Sequence, residues 1–218
     1  MKKVWILFGV LVVILTGCNN TVNKDEQTEP YVIQTEGGAI EIEATSKIYP
    51  YAKILEQYAK EGTCYTFVRI AGLEEPVFLV GEQYINVDMW GREVCVTGKA
   101  TVYVLENNKV KVLGKLQSAM PAYLLCLDQL GYLYTAEPEV VTRWGIDREK
   151  KELVAVAGAY RDMVNGKQCY KYFNEETAGK AEVTDSESVL MFMHDMYESA
   201  TPVQFIPLIR YEKEWNEK

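Results

Sequence analysis

The chain has 218 residues, with 23 Lys plus Arg against 31 Asp plus Glu, a formal net charge of −8 and a single histidine. A net acidic surface repels phosphate backbones and anionic headgroups, which argues against nucleic acid as a partner. One histidine leaves little room for catalytic sets built on imidazole.

The N-terminus reads Met1-Lys2-Lys3, followed by an apolar run from Val4 to Leu15 that only Gly9 interrupts. A run of about 12 residues is shorter than the roughly 20 that a spanning helix needs. With its basic start and small residues at the end, it predicts a removed secretory signal over residues 1–17. Leu15-Thr16-Gly17-Cys18 resembles the lipobox of bacterial lipoproteins. That resemblance implies cleavage before Cys18, a diacylglyceryl thioether on its sulfur and acylation of the new amino group. Two or more acyl chains anchor stably where one is marginal. The implied location is the extracytoplasmic face of the cell membrane. Losing Lys2 and Lys3 takes the net charge from −8 to −10. Residues 18–30 are polar apart from Val22 and Pro30, which predicts a flexible tether with a reach of roughly 20 Å.

Residues 31–45 alternate Ile40, Ile42 and Ala44 with Glu41 and Glu43, predicting a lead-in strand or loop. Pro50 and Gly62 then bracket a helix over about 50–61, with Tyr51, Ile54, Leu55 and Tyr58 on one apolar face. From 63 to about 174, β-rich runs alternate with turn residues. The runs are Thr63–Ile70 and Pro76–Val80, Tyr84–Met89 and Glu93–Gly98, Ala100–Leu105 and Val110–Leu113, Tyr123–Leu127 and Tyr132–Thr135, and Val140–Ile146 and Leu153–Ala157. Such spacing predicts sequential antiparallel hairpins. Thr184-Asp185-Ser186-Glu187 reads as a capping box, with Thr184 as N-cap. It opens a second helix over about 186–199, whose apolar face is Val189, Phe192, Met193 and Met196. Phe205-Ile206-Pro207-Leu208 predicts an extended closing segment, and residues 212–218 a frayed tail.

The fold class read from this order is α+β, mainly β. It is an antiparallel meander of hairpins, as an open sheet or a partial propeller or barrel, with one helix before and one after. Residues 46–211 are expected to form a single globular domain.

The same order of elements resembles a group of uncharacterised lipoproteins and secreted proteins of Gram-positive bacteria. In that group a tethered helix precedes a hairpin around an Asp-rich loop, Asp-x-Asp-Gly-Asp-Gly-x-x-Glu-Leu, and a late helix precedes an ending like Phe-Ile-Pro-Leu. The matching stretches here are Tyr51–Tyr58, Val102–Gly114, Gly131-Tyr132-Leu133-Tyr134, the helix after Thr184, and Phe205–Leu208. The group has no established activity. Against its Asp-rich hairpin, the loop carboxylates fall at Arg69, Ala71, Leu73 and Val77, and only Gly72 and Pro76 keep their character. Calcium takes about six to eight oxygens, and these four side chains supply no carboxylate. The loop does not read as a metal site.

Cys64, Cys95, Cys126 and Cys169 remain once Cys18 is lipidated. No Cys-x-x-Cys spacing is present, which disfavours zinc. Export permits disulfides, and buried thiols are the other reading. His194-Asp195 could pair with a cysteine in principle, though a helix-surface histidine is the plainer reading. Glu74-Glu75 and Glu175-Glu176 fall in predicted turns, where charge is ordinarily solvated. Trp90 and Trp144 could stack on carbohydrate or belong to a core. There is no Gly-x-Ser-x-Gly, phosphate loop or dinucleotide fingerprint, so no cofactor and no catalytic residue is assigned. The expected function is a membrane-anchored, non-catalytic binding module for an envelope protein or glycan. The alternatives are a hydrolase of envelope polymers and a structural accessory of a membrane complex.

Overall fold

A computed structural model describes residues 29–35, 38–59, 62–177 and 179–208. The signal, most of the tether and the tail expected from sequence lie outside these residues. Strands β1 (Tyr31–Thr35) and β2 (Gly38–Ile42) form a hairpin of their own. A 3-10 turn at Tyr49–Tyr51 leads into α1 (Ala52–Gln57). Three hairpins follow: β3 (Cys64–Val68) with β4 (Val77–Gly81), β5 (Ile85–Met89) with β6 (Arg92–Val96), and β7 (Lys99–Glu106) with β8 (Lys109–Gln117). Next come β9 (Cys126–Leu127), β10 (Leu133–Glu137), β11 (Val140–Asp147), β12 (Glu152–Val164), β13 (Lys167–Phe173) and β14 (Glu182–Thr184). Helix α2 (Ser188–Ser199) and the short strands β15 (Thr201–Pro202) and β16 (Ile206–Pro207) close the chain.

The fold is α+β and mainly β, in antiparallel sheets of hairpins. Among the described residues the sheets stay open and close no barrel. One sheet has five strands in the order β16-β3-β4-β7-β8; the other has seven, β14-β13-β12-β11-β10-β9-β15. Two-residue turns with both residues at positive φ set several registers: Trp90-Gly91 (56° and 75°) and Asn165-Gly166 (53° and 74°). Their left-handed backbone matches the twist of the strands they join. Asn165-Gly166 lets β12 run to Val164 and return as β13, which lengthens the strand beginning at Leu153 well beyond its expected end.

Alternation places the core. On β4, Val77 and Leu79 face the core between the two large sheets, while Phe78 and Val80 face the other way. That second face carries α1 and the β1–β2 hairpin, with Ile33, Tyr51 and Leu55 buried against Phe78 and Tyr103. Tyr51 lies 4.3 Å from Phe78, ring centroid to centroid. On the far face of the seven-stranded sheet, Tyr134, Ala136, Val141, Ala159 and Tyr170 meet Leu190, Met193 and Tyr197 of α2. Helix α2 leaves the β14 edge, and its exit strand β15 pairs at the opposite edge with β9. It therefore has to cross the sheet's face.

Several backbone connections join the layers, one of them at Ser118 and Ala119, whose amides donate to the carbonyls of Gly98 and of Ala136 in β10. The closing segment pairs β15 with β9, Phe205 with Cys95 of β6, and β16 with β3. It links three sheets in under ten residues. The loop after β3 reaches the other sheet through its backbone. The Ala71 amide donates to the Gly131 carbonyl at 2.7 Å, and the Ile146 amide donates to the Ala71 carbonyl at 2.9 Å.

Two local expectations need correction. The first helix ends near Gln57 rather than 61, because the Thr63 hydroxyl takes the Tyr58 carbonyl at 2.5 Å and starts β3. The capping box does not form. Thr184 is held in the β14 ladder opposite Tyr170, Glu187 is the N-cap without a side-chain bond, and the helix begins at Ser188. Glu187 pairs instead with Arg161 at 3.7 Å.

Gly72 sits at φ +103°, and a Cβ there would lie 2.1 Å from the Ile146 carbonyl oxygen. Gly91, at φ +75°, has nothing within 4 Å of the same point. Gly72→Ala is expected to destabilise by about 3 kcal/mol or more, and Gly91→Ala by about 1 kcal/mol. Urea unfolding of the two variants checks this; equal losses would show that the 71–75 loop is not locked to the second sheet.

Candidate functional site

The site begins at the turn between β9 and β10. One Asp128 carboxylate oxygen accepts from the Leu130 and Tyr132 amides, each at 2.9 Å, which makes an Asx-type turn. The other accepts from Arg143 Nη2 at 2.9 Å and from the Tyr134 hydroxyl at 3.2 Å. The Arg143 side chain is 16% exposed and that of Asp128 is 18%. The guanidinium lies over the Tyr132 ring, 3.7 Å from its centroid, a favourable cation–π stack. Arg143 thus belongs to two rigid contacts at once, though its Nε is buried with no hydrogen-bond partner among the described residues.

Arg143 forms part of the floor of a groove of about 570 Å³ between α2 and the seven-stranded sheet. Ala157 and Gly158 of β12 complete the floor, and Tyr172, Phe173 and Asn174 form one wall. Gly158 matters sterically: a Cβ there would lie 2.7 Å from the Phe173 ring. The other wall is Val189, Phe192, Met193 and Met196. These are the α2 residues that helical spacing assigns to the core. The structure separates them. The stripe that faces the sheet is Leu190, Met193 and Tyr197, whereas Phe192 is 62% exposed. The short side chain of Ala157, on the sheet face under the helix, leaves a gap below the Phe192 side of the helix. An aromatic exposed at the rim of an apolar groove is the kind of patch that marks a contact surface.

A second hollow of about 380 Å³ continues past Arg143 to Leu130, Tyr132, Glu175 and Glu176. The turn that carries these glutamates is braced by Asn174 and Thr177, the Thr177 amide donating to Asn174 Oδ1 at 3.0 Å. The Tyr132 hydroxyl donates to Glu175 at 3.4 Å. Because Asp128 neutralises Arg143, the exposed Glu175 and Glu176 set the local potential. The combined surface is apolar in the middle and acidic at one end. Its methionines can refit around differing side chains.

The other sequence candidates are scattered. Glu74 and Glu75 lie exposed by a smaller hollow next to Glu106, which is paired with Lys151. His194 sits on α2 with its ring 6.1 Å from that of Tyr123. Trp90 is 79% exposed at its hairpin tip, whereas Trp144 packs on the inter-sheet core and donates to Thr135 at 2.9 Å. The two tryptophans share no face. Cys64, Cys95, Cys126 and Cys169 are all buried. Sequence reasoning places Tyr132 and Arg143 in strand runs but assigns neither them nor Asp128 to a site. The one available signal is the Asp-x-x-Gly turn, which predicts an Asx turn but not the arginine that completes it.

Cys126 lies under α2, and burial pushes its thiol up from about 9 to about 11, against a smaller lowering by its hydrogen bond with Tyr197. The unfolded thiol ionises near 9, so the fold favours the neutral form. This contribution is complete below pH 9 and lost between pH 9 and 11, and amounts to about 2–3 kcal/mol. Cys126→Ala should flatten the fall in unfolding midpoint over that window. Burial also holds Tyr134 up, to about 12, so a decline above pH 10 should persist. An unchanged slope between pH 9 and 11 would contradict the assignment.

Compared with protein-family models, curated proteins and solved structures, the chain matches none of them.

Proposed function

We propose that this chain is a lipid-anchored, extracytoplasmic binding module without catalytic activity. Its groove takes an amphipathic segment of an envelope protein that carries Lys or Arg beside apolar side chains. The lipobox-like Leu15-Thr16-Gly17-Cys18 and the polar stretch after it support the location. The observation that carries the binding reading is Phe192. It is 62% exposed, over a groove whose lining is apolar and whose end holds Glu175 and Glu176. Fully covering an exposed Phe stabilises a complex by about 1.5–3 kcal/mol. The glutamates add selectivity for a cation more than affinity, since exposed ion pairs contribute about 0.2–1 kcal/mol. They also disfavour an anionic lipid surface or an acidic polymer at the same place.

Two synthetic peptides of equal length and apolar content, one flanked by Lys and one by Glu, separate the readings by calorimetric titration. The basic peptide should bind in the micromolar range and the acidic one at least about tenfold more weakly. Phe192→Glu should weaken the basic peptide by about tenfold or more. The double variant Glu175→Gln, Glu176→Gln should mainly erase the preference and the salt dependence. Equal binding of both peptides would sink the proposal. Shortening of envelope glycan fragments by the same protein would point to the hydrolase instead.

A further inference from the structure

We propose that Cys64 and Cys95 form an internal disulfide in the exported protein, an inference that rests on the extracytoplasmic location proposed above. Cys64 opens β3 and Cys95 lies on β6, in different sheets. The closing segment brings them together, because Phe205 pairs with Cys95 and Pro207, two residues on, pairs with Cys64. Both side chains lie in the core between the large sheets, and the Cys64 thiol is in side-chain contact with the Cys95 thiol. Opposite Cys64 the chain has Gly81; a Cβ there would stand 2.7 Å from the Cys64 sulfur and 3.3 Å from the Phe205 ring. The glycine leaves room for the sulfur between its neighbours.

The other two cysteines cannot make the equivalent bond. Cys126 is on β9 and Cys169 on β13, with β10, β11 and β12 between them in the sheet. Four strand spacings separate them by roughly 19 Å, whereas a disulfide needs Cα atoms within about 7 Å. Of the four thiols, the topology selects one pair.

The chemistry is thiol–disulfide exchange, with a thiol–disulfide oxidoreductase in its disulfide form as oxidant. One cysteine thiolate attacks a sulfur of the oxidant's disulfide, expels its partner sulfur as thiolate and leaves a mixed disulfide. The second cysteine thiolate attacks the protein-side sulfur, forming Cys64–Cys95 and releasing the oxidant as a dithiol. Two protons and two electrons leave the chain. In the finished fold the side chains are 0% and 6% exposed. Contact with Cys95 and burial also hold the Cys64 thiol protonated, and only the thiolate attacks. Exchange therefore takes place before the core closes. The bond would close a loop of about 30 residues and fasten the β5–β6 hairpin to the five-stranded sheet.

The full chain made in an exporting host is denatured without reductant, alkylated, reduced and alkylated again with a heavier reagent. Peptide mass spectrometry should find the heavy label on Cys64 and Cys95, the light label on Cys126 and Cys169, and acyl chains on Cys18. Chains with acylated Cys18 but light label on Cys64 and Cys95 would overturn the proposal. If Cys18 is unmodified and the chain stays inside, the location reading fails, and the pair is tested by refolding the purified full chain with glutathione disulfide. A Cys64–Cys95 bond, with a melting point roughly 5–10 °C above the reduced protein, then supports the pairing; no bond, or a different pair, refutes it. Cys126→Ala, Cys169→Ala protein should still form the Cys64–Cys95 bond.

Discussion

The Asp128 carboxylate accepts from two backbone amides of its own turn, from the Tyr134 hydroxyl and from Arg143. A mostly buried charge pair is costly unless hydrogen bonds offset its desolvation, and removing one partner commonly costs about 3–5 kcal/mol. Here all four bonds come from a stretch of 16 residues on adjacent strands and their turn. The result is a guanidinium clamped between a carboxylate and a tyrosine ring, at the boundary of two connected hollows. The groove floor, the Tyr132 ring and the reach of the Glu175 turn all depend on where that guanidinium sits.

Around this tie the architecture is a stack. The β1–β2 hairpin and α1 cover one face of the five-stranded sheet, the seven-stranded sheet covers the other, and α2 crosses its outer face. Backbone hydrogen bonds join the layers at the loop with Ala71 and Gly72, at the segment 118–125 and at the closing segment from Thr201 to Leu208. Such joints specify a register that apolar packing alone leaves loose. The joint at Ala71 also explains the glycine at position 72. The glycine is needed by the approach of Ile146.

The hairpins were legible because turn residues and alternation are local. Trp90-Gly91 and Asn107-Asn108 sit where the two-residue turns fall. Asn165-Gly166 was equally local, and reading it as a turn would have located β13. The capping box misled because a ladder bond to Tyr170 outcompetes a cap at Thr184. The groove was not legible at all. Its residues come from the 128–132 turn, β11, β12, the 174–177 turn and α2, and only the sheet order joins them. Spacing put Phe192 on an apolar face, which is correct, but periodicity cannot say whether the opposing sheet rises to meet that face. The short Ala157 side chain on that face decides that it does not.

A groove with an exposed aromatic rim and an acidic end is suited to holding a segment of another chain, and its shape rests on the Asp128–Arg143 tie. The most direct test is a double-mutant cycle of Asp128→Asn and Arg143→Met, read by denaturant unfolding. A coupling free energy of about 1–3 kcal/mol is predicted, the losses of the two single variants summing to more than the loss of the double variant by that amount. Losses that add to within about 0.5 kcal/mol would show that the two side chains act independently, and the groove would then lack the constraint on which its form depends.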